Sequence, residues 1–265
     1  MQLTTEQINQ AADSLYDAET RFVQIPAISA TYPNADVEDA YAISQGVTAR
    51  KVAAGRLVKG HKVGLTSKAM RSMASAQEPD YGTLTDDFFV LEGSSISPSR
   101  LHRPLVEVEI AFVLGRDLVG PAINVVDVIR ATDFVLPCLE IVNSRLSTRG
   151  SNPLVDTIAD AASCGCVVLG GLPRRLDQID LRRVGAILMK NGEIEESGVA
   201  AAVMGNPVNA IAWLANKLHD LGVPLLAGHV LLSGSFVKAV PFGPGDTLTA
   251  IFDTLGEVGV RLLKE

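Results

Sequence analysis

Residues 103–114 read RPLVEVEIAFVL, a run of strong strand formers with an unusual placement of charge. Side chains alternate across a strand, so Val106, Val108, Ile110 and Phe112 share one face while Glu107 and Glu109 stand together on the other. Like charges at that spacing repel unless a cation sits between them, and oxygen ligands suit a hard divalent ion such as Mg²⁺. An edge strand with one solvated acidic face would show the same alternation. A third acid favours the metal reading: Glu140 closes the apolar run of residues 134–139 in DFVLPCLEIV, another strand-like segment. The pattern predicts a sheet on which Glu107, Glu109 and Glu140 form a metal site.

The rest of the chain is consistent with a sizeable core around that sheet. It has 265 residues, 47% of them hydrophobic, and a mean hydropathy of +0.24, enough for a large β-rich body with a helical appendage. A net charge of −7 with no basic cluster argues against nucleic acid or an anionic membrane as partner, but leaves a small anionic substrate open where positive charge gathers locally. The opening MQLTTEQINQ lacks a basic segment followed by an apolar one, and no stretch approaches the roughly 18 apolar residues of a membrane span, so a cytoplasmic location is expected. Cys138, Cys164 and Cys166 contain no CxxC pair and read as reduced, buried thiols. The two sulfurs of Cys164-Gly165-Cys166, without a further Cys or a nearby His, make a poor zinc site.

Two helices are predicted first, over residues 4–22, where Thr4 and Gln7 suggest a capping box, and over 36–54, with three acids near its start and Gly55 at its end. From residue 57 short apolar segments punctuated by Gly, Pro or Asp read as strands: 57–65, 88–91, 106–114, 134–142, 166–169, 186–189, 229–232 and 247–252. Helices interrupt them at 125–131 and 207–221, Asn191-Gly192 signals a hairpin, and Pro244-Gly245-Asp246 is a second tight turn. That helix spacing is too irregular for an alternating barrel. The expected fold is mixed α+β, a rolled sheet, with an N-terminal helical subdomain over 1–56 and a β-rich catalytic domain over 57–265.

Among residues that could carry chemistry, Lys62 lies inside an apolar strand that ends in Gly64-Leu65-Thr66-Ser67. Lysine is seldom buried without a partner, and near carboxylates it can exchange protons or hold an anion; a half-exposed strand would equally tolerate it. Glu78-Pro79-Asp80-Tyr81-Gly82 reads as a turn, and Asp160 and Ser163 as capping residues ahead of a strand. Gly234-Ser235 could present a backbone N–H to a carboxylate or simply turn the chain. The four histidines are dispersed without ligand spacing, and no phosphate-binding loop or nucleophile elbow is present.

Taken in order, KGHKVGLTSKAM, EPDYG, VEVEIAFVL, DFVLPCLEIV, DTIAD and LLSGS followed by PGD resemble the 2-hydroxypentadienoate hydratase and 4-oxalocrotonate decarboxylase group of the fumarylacetoacetate hydrolase superfamily, over nearly the whole chain from about residue 25 to 263. The resemblance implies that superfamily's rolled β-sheet core and a Mg²⁺ or Mn²⁺ cofactor on Glu107, Glu109 and Glu140. It further implies Lys62 and Asp80 as catalytic residues, and substrate contacts from Leu65, Thr66, Ser67, Tyr81, Ser163 and Ser235, with Lys68 or Arg71 as the cation for a distal carboxylate. The implied activity is addition of water to a 2-hydroxy or 2-oxo dienoate, a dicarboxylate such as 2-oxohept-ene-1,7-dioate, in meta-cleavage degradation of aromatics. Decarboxylation of a 2-oxo-3-hexenedioate on the same metal is the alternative, and a non-catalytic partner subunit a second one. The decarboxylases of the group carry an apolar residue where Asp80 stands, which points to hydration. A homo-oligomer associated with a sister pathway enzyme is also implied. One departure stands out: the group's Asp-Asn-Ala-Ser is Asp160-Ala161-Ala162-Ser163 here.

Overall fold

The computed structural model describes residues 1–147 and 153–265. Two 17-residue helices, with a single helical turn at Ile28–Thr31 between them, open the chain, each long helix begun by a reciprocal capping box: α1 (Thr5–Arg21) by Thr4 with Gln7, and α2 (Val37–Ala53) by Asp36 with Asp39. Ile8, Ala11 and Leu15 of α1 and Ala40, Ile43 and Val47 of α2 are buried in the same apolar core as the main sheet, so the helices are packed onto the β body through one continuous core.

The strands follow as β1 (Val58–Gly64), β2 (Asp80–Thr85), β3 (Phe89–Val90), β4 (Ser95–Ile96), β5 (Leu105–Leu114), β6 (Thr132–Val142), β7 (Cys164–Leu169), β8 (Gly185–Lys190), β9 (Glu193–Val199), β10 (Val230–Leu232), β11 (Val240–Pro241), β12 (Thr247–Phe252) and β13 (Gly256–Leu262). Among the described residues these make a larger sheet in the order β2-β1-β10-β5-β6-β7-β3, with β11 also paired to β5, and a smaller one in the order β9-β8-β12-β13-β4. β13 packs on β6 and β7, so the two sheets lie against each other. Between the strands run α3 (Lys68–Met73), α4 (Val125–Ala131), α5 (Leu154–Ala159) and α6 (Pro207–Asp220). Among the described residues no helix is long and apolar enough to cross a membrane.

β5 and β6 are the long central pair, and their two faces have different jobs. Val106, Val108, Ile110 and Phe112 are fully buried in the main core with Leu139 and Ile141 of β6. The other face carries Ala111 and Cys138 in a second, smaller apolar cluster with Leu84, Phe88, Cys164, Val167 and Leu232. Asn191 and Gly192, both at positive φ (55° and 88°), close the β8–β9 hairpin as the Asn-Gly signal predicts.

Two readings change. The segment read as a turn at 78–82 contains the start of β2, which runs antiparallel to β1 with Asp80 opposite Gly64 and Gly82 opposite Lys62. Its Asp and Gly resemble turn residues because the backbone packs closely there, not because the chain reverses. The strands β9 and β13 escaped the reading, since Glu, Ser and Gly interrupt their apolar positions. Ile110 is fully buried on the core face of β5, so Ile110→Ala is expected to destabilise the fold by about 3 kcal/mol through the cavity it leaves; urea denaturation checks this, and a loss under about 1 kcal/mol would mean the core collapses around the site.

Candidate active site

Three acids converge because of strand register. β5 and β6 pair antiparallel with Glu107 opposite Glu140 and Glu109 opposite Cys138, which puts Glu107, Glu109 and Glu140 on one face. One carboxylate oxygen from each lies within 4.8 Å of the others. Glu109 and Glu140 are fully buried, and Glu107 keeps part of its surface at solvent. Glu109 Oε2 accepts a hydrogen bond from the Gly234 backbone N–H at 2.8 Å, whereas Glu109 Oε1 and both oxygens of Glu140 are buried without an aligned donor. Lone pairs left open among three like charges are the donor set a hard divalent ion requires. Burial first, and the neighbouring Glu140 charge second, push Glu107 up to about 7, and the same causes with the addition of Glu107 hold Glu109 well above the carboxylate range.

Lys62 reaches the acids from β1, with Nζ 3.0 Å from Glu140 Oε1 as an ion pair without hydrogen-bond alignment. Burial alone would lower its pKa, but Glu140, Glu107 and Asp80 together outweigh it and hold the ammonium charged. Asp80, across the β1–β2 ladder, is 2% exposed, and neither of its oxygens has a hydrogen-bond partner. Burial raises its pKa against the opposing pull of Lys62. Glycines make room for this grouping: a Cβ on Gly64 would stand 2.1 Å from Asp80 Oδ1, and one on Gly82 would stand 2.2 Å from the carbonyl oxygen of Ala161. The turn after α5 therefore closes directly over β2 beside Lys62.

That turn is held from behind. Asp160 accepts Arg145 Nε at 2.6 Å, the Arg145 N–H at 3.0 Å and the Ser144 hydroxyl at 3.0 Å, while Arg145 also donates to the carbonyls of Asp160, Asn143 and Cys164. Arg145 is buried and escaped sequence reading, because its partner Asp160 lies 15 residues further along the chain and nothing local marks the pair. Burial, only partly opposed by Arg145, brings Asp160 up to about 6. From Asp160 the chain passes through Ala161, Ala162 and Ser163 at φ 50°, 50° and 57°, three consecutive L-residues in the left-handed region. Ser163 Oγ ends buried with no partner.

The remaining expected residues divide. Thr66 is buried, and a Cβ on Gly234 would stand 2.3 Å from its Oγ1, so Thr66 borders the Gly234 N–H that holds Glu109. Leu65 (φ 55°) turns the chain out of β1, and Ser67 caps α3 through Met70 N–H at 3.2 Å. Arg71 donates to the carbonyls of Leu65 and Thr66, both at 2.9 Å, so its guanidinium braces this turn, and Lys68 is exposed. Ser235 is occupied with backbone, donating to Val237 O and accepting from Val108 N–H. The Tyr81 ring stands on the sheet face opposite Asp80, stacked on Tyr41 at 4.5 Å and near His61. Burial brings His61 down to about 3, and it stays a neutral ring among them.

A family profile described as fumarylacetoacetate (FAA) hydrolase, C-terminal, matches residues 39–263. The chain is 45% identical to the 2-oxo-hept-4-ene-1,7-dioate hydratase of Escherichia coli over 95% of this chain and 96% of that protein. It is 41% identical to a 2-keto-4-pentenoate hydratase of Paraburkholderia xenovorans over 97% and 95%. Among solved structures, 4-oxalocrotonate decarboxylase from Pseudomonas putida G7, complexed with magnesium and adipate, superposes with a TM-score of 0.95 at 36% identity, covering 98% of this chain and 99% of that one.

Two expectations follow from the geometry. With no ion bound, Glu107 binds its proton more tightly folded than unfolded, so its stabilising contribution is complete below pH about 4.5 and is lost as pH rises to about 7. Chelator-treated protein is expected to lose up to ~3 kcal/mol across that interval from this group, and Glu107→Gln to flatten the profile there; equal slopes in urea melts of the two would contradict the burial account. Ala161→Asn, which places a residue tolerant of the left-handed region at φ 50°, is expected to raise stability by ~0.5–1 kcal/mol, read as a higher denaturation midpoint.

Proposed function

The chain belongs to the fumarylacetoacetate hydrolase family, and within it we propose a divalent-metal-dependent hydratase that adds water to a 2-hydroxy or 2-oxo dienoate. The observation that carries this reading is the cluster of Glu107, Glu109 and Glu140 with Lys62 and Asp80 buried beside it. The substrate assigned is a small dicarboxylate such as 2-oxo-hept-4-ene-1,7-dioate, in meta-cleavage breakdown of aromatic compounds, supported by the identity with the hydratase that bears that name.

Glu107, Glu109 and Glu140 are the residues that would hold Mg²⁺ or Mn²⁺, with Glu109 Oε1 and both Glu140 oxygens buried without donors. Such an ion supplies Lewis-acid stabilisation of the negative charge that develops on the 2-oxo oxygen. The chain's own groups do the rest. Asp80, raised towards its protonated form by burial, gives a proton to a substrate carbon and takes one back. Lys62 Nζ keeps a positive charge against Glu140 and offsets the acids as the substrate's carboxylate enters. Ser163 Oγ, unpartnered, hydrogen-bonds the substrate or the incoming water. In sum one carbon gains hydroxyl and its neighbour gains hydrogen, both from the water; from a 2-hydroxy dienoate the enol O–H proton also moves to carbon, which leaves the 2-oxo group.

Decarboxylation is the second reading, favoured by the structural match to the decarboxylase, because loss of CO₂ would draw on the same stabilised negative charge. The reading also takes the protein to be a cytoplasmic homo-oligomer associated with a sister pathway enzyme, which light scattering on the purified chain, alone and with that enzyme, tests. The deciding experiment is incubation with Mg²⁺ and a diacid dienol. A hydroxylated 2-oxo acid without CO₂ is expected, whereas CO₂ without a hydroxylated product establishes decarboxylation. Glu107→Gln is expected to lower kcat/KM by at least ~10²-fold while the fold persists, and Asp80→Asn to lower kcat by ~10² to 10⁴. Undiminished turnover in Glu107→Gln would sink the mechanism, and a wild-type chain inert with every dienol would mark a non-catalytic partner.

A further inference from the structure

A cleft of about 400 Å³ lies between the N-terminal helices and the main sheet, walled by Tyr16, Phe22 and Lys51 on one side and by Phe88, Arg100 and Cys166 on the other. Its lining reaches Arg145 but none of the three glutamates, Lys62 or Asp80, so it is not the site already described. In a chain of net charge −7 this lining gathers four cations, Lys51, Arg56, Arg100 and Arg145, against the carboxylates of Glu19 and Asp87. With four cations against two acids, the lining carries an excess of positive charge, and a concave, positively charged wall concentrates anions.

The cations are not equally engaged. Lys51 is buried, pairs with Glu19 and with Asp87 at 3.1 Å, and stands 3.9 Å from the Phe88 ring centroid. Arg145 gives its donors to Asp160 and to backbone carbonyls. Arg56 makes only long contacts, 3.7 Å to Asp86 and 4.0 Å to Asp87, and its side chain is 51% exposed, so it can swing. Arg100 is different: among the described residues it has no acidic partner, and its Nε is buried without a hydrogen bond. Its guanidinium carbon lies 5.2 Å from the Phe22 ring centroid, within cation–π range. His102 Nε2, also on the cleft wall, is likewise buried and unpartnered.

We propose that this cleft is a second binding site, for a small oxyanion, carboxylate or phosphate, held by the Arg100 guanidinium with His102 Nε2 beside it and Arg56 closing from the rim. A guanidinium is a planar fork that can pair with two oxygens of one anion at once, which is the arrangement that makes such contacts strong. Because Arg56 follows α2 while Arg100 and His102 lie in the segment that leads into β5, the bound anion ties the N-terminal helices to the β body, and binding to the native state alone raises the melting temperature.

The test uses chelator-treated full-length protein, so that the acid cluster holds no ion, titrated calorimetrically with inorganic phosphate and separately with succinate. One site per chain is expected for at least one of them, and the tighter of the two identifies the anion's source as phosphoryl or carboxylate. Arg100→Gln, which keeps the stem over Phe22, and Arg100→Ala are expected to weaken that binding about tenfold or more, with hydration turnover in anion-free buffer unchanged. Saturable binding absent from the wild-type chain, or equal in wild type and both variants, overturns the site. Parallel loss of turnover and anion binding in both variants would place Arg100 in the reaction site and overturn a separate cleft.

Discussion

Mutual repulsion among three carboxylates is the constraint on which the rest of this architecture depends. Glu107, Glu109 and Glu140 share one face of the central β5–β6 pair, where Glu109 and Glu140 are buried away from water and only Glu107 is partly screened. A fold can tolerate that only by supplying positive charge or by leaving protons on the acids. Both responses are visible: Lys62 stands against Glu140, and Glu107 and Glu109 have raised pKa values. The apolar shell of Leu84, Cys138, Cys164, Val167 and Leu232 around them is what keeps the dielectric low enough for those charges to matter.

Division of labour between sheet faces lets one pair of strands serve both stability and chemistry. Val106, Val108, Ile110 and Phe112 anchor β5 in the main core, so the backbone that positions Glu107 and Glu109 cannot shift without opening that core. The same alternation operates on β2, where Asp80 looks towards Lys62 while Tyr81 stacks on Tyr41 of α2. The N-terminal helices thus brace the strand that carries the acid.

Strain is concentrated where the turn of Asp160 to Ser163 meets the sheet. Three left-handed L-residues in succession would relax if free, and what prevents this is the buried Arg145–Asp160 pair at one end and contact with Gly82 below. Arg145 also forms part of the wall of the cationic cleft, so one buried guanidinium touches both the turn beside the acid cluster and that cleft. Removing either partner of that pair would leave an uncompensated buried charge, the costly way to lose an ion pair.

Local periodicity determined a good deal. The alternation in residues 103–114 already separated core from acid face, the capping signals located α1 and α2, and Asn191-Gly192 located a hairpin, because each depends on neighbours a few residues apart. The strand identity of Asp80–Thr85 was not legible, since its Asp and Gly answer to close packing from elsewhere in the chain. Nor was the brace on Asp160, the outward placement of Lys68, the use of Arg71 to hold the Leu65 and Thr66 carbonyls, or the face on which Tyr81 falls. That Glu140 stands opposite Glu107 rather than one residue away was decided by the β5–β6 register alone. A slip of one residue would have turned Glu140 to the core face and Leu139 and Ile141 away from it, and register is a property of two strands, written in neither one by itself.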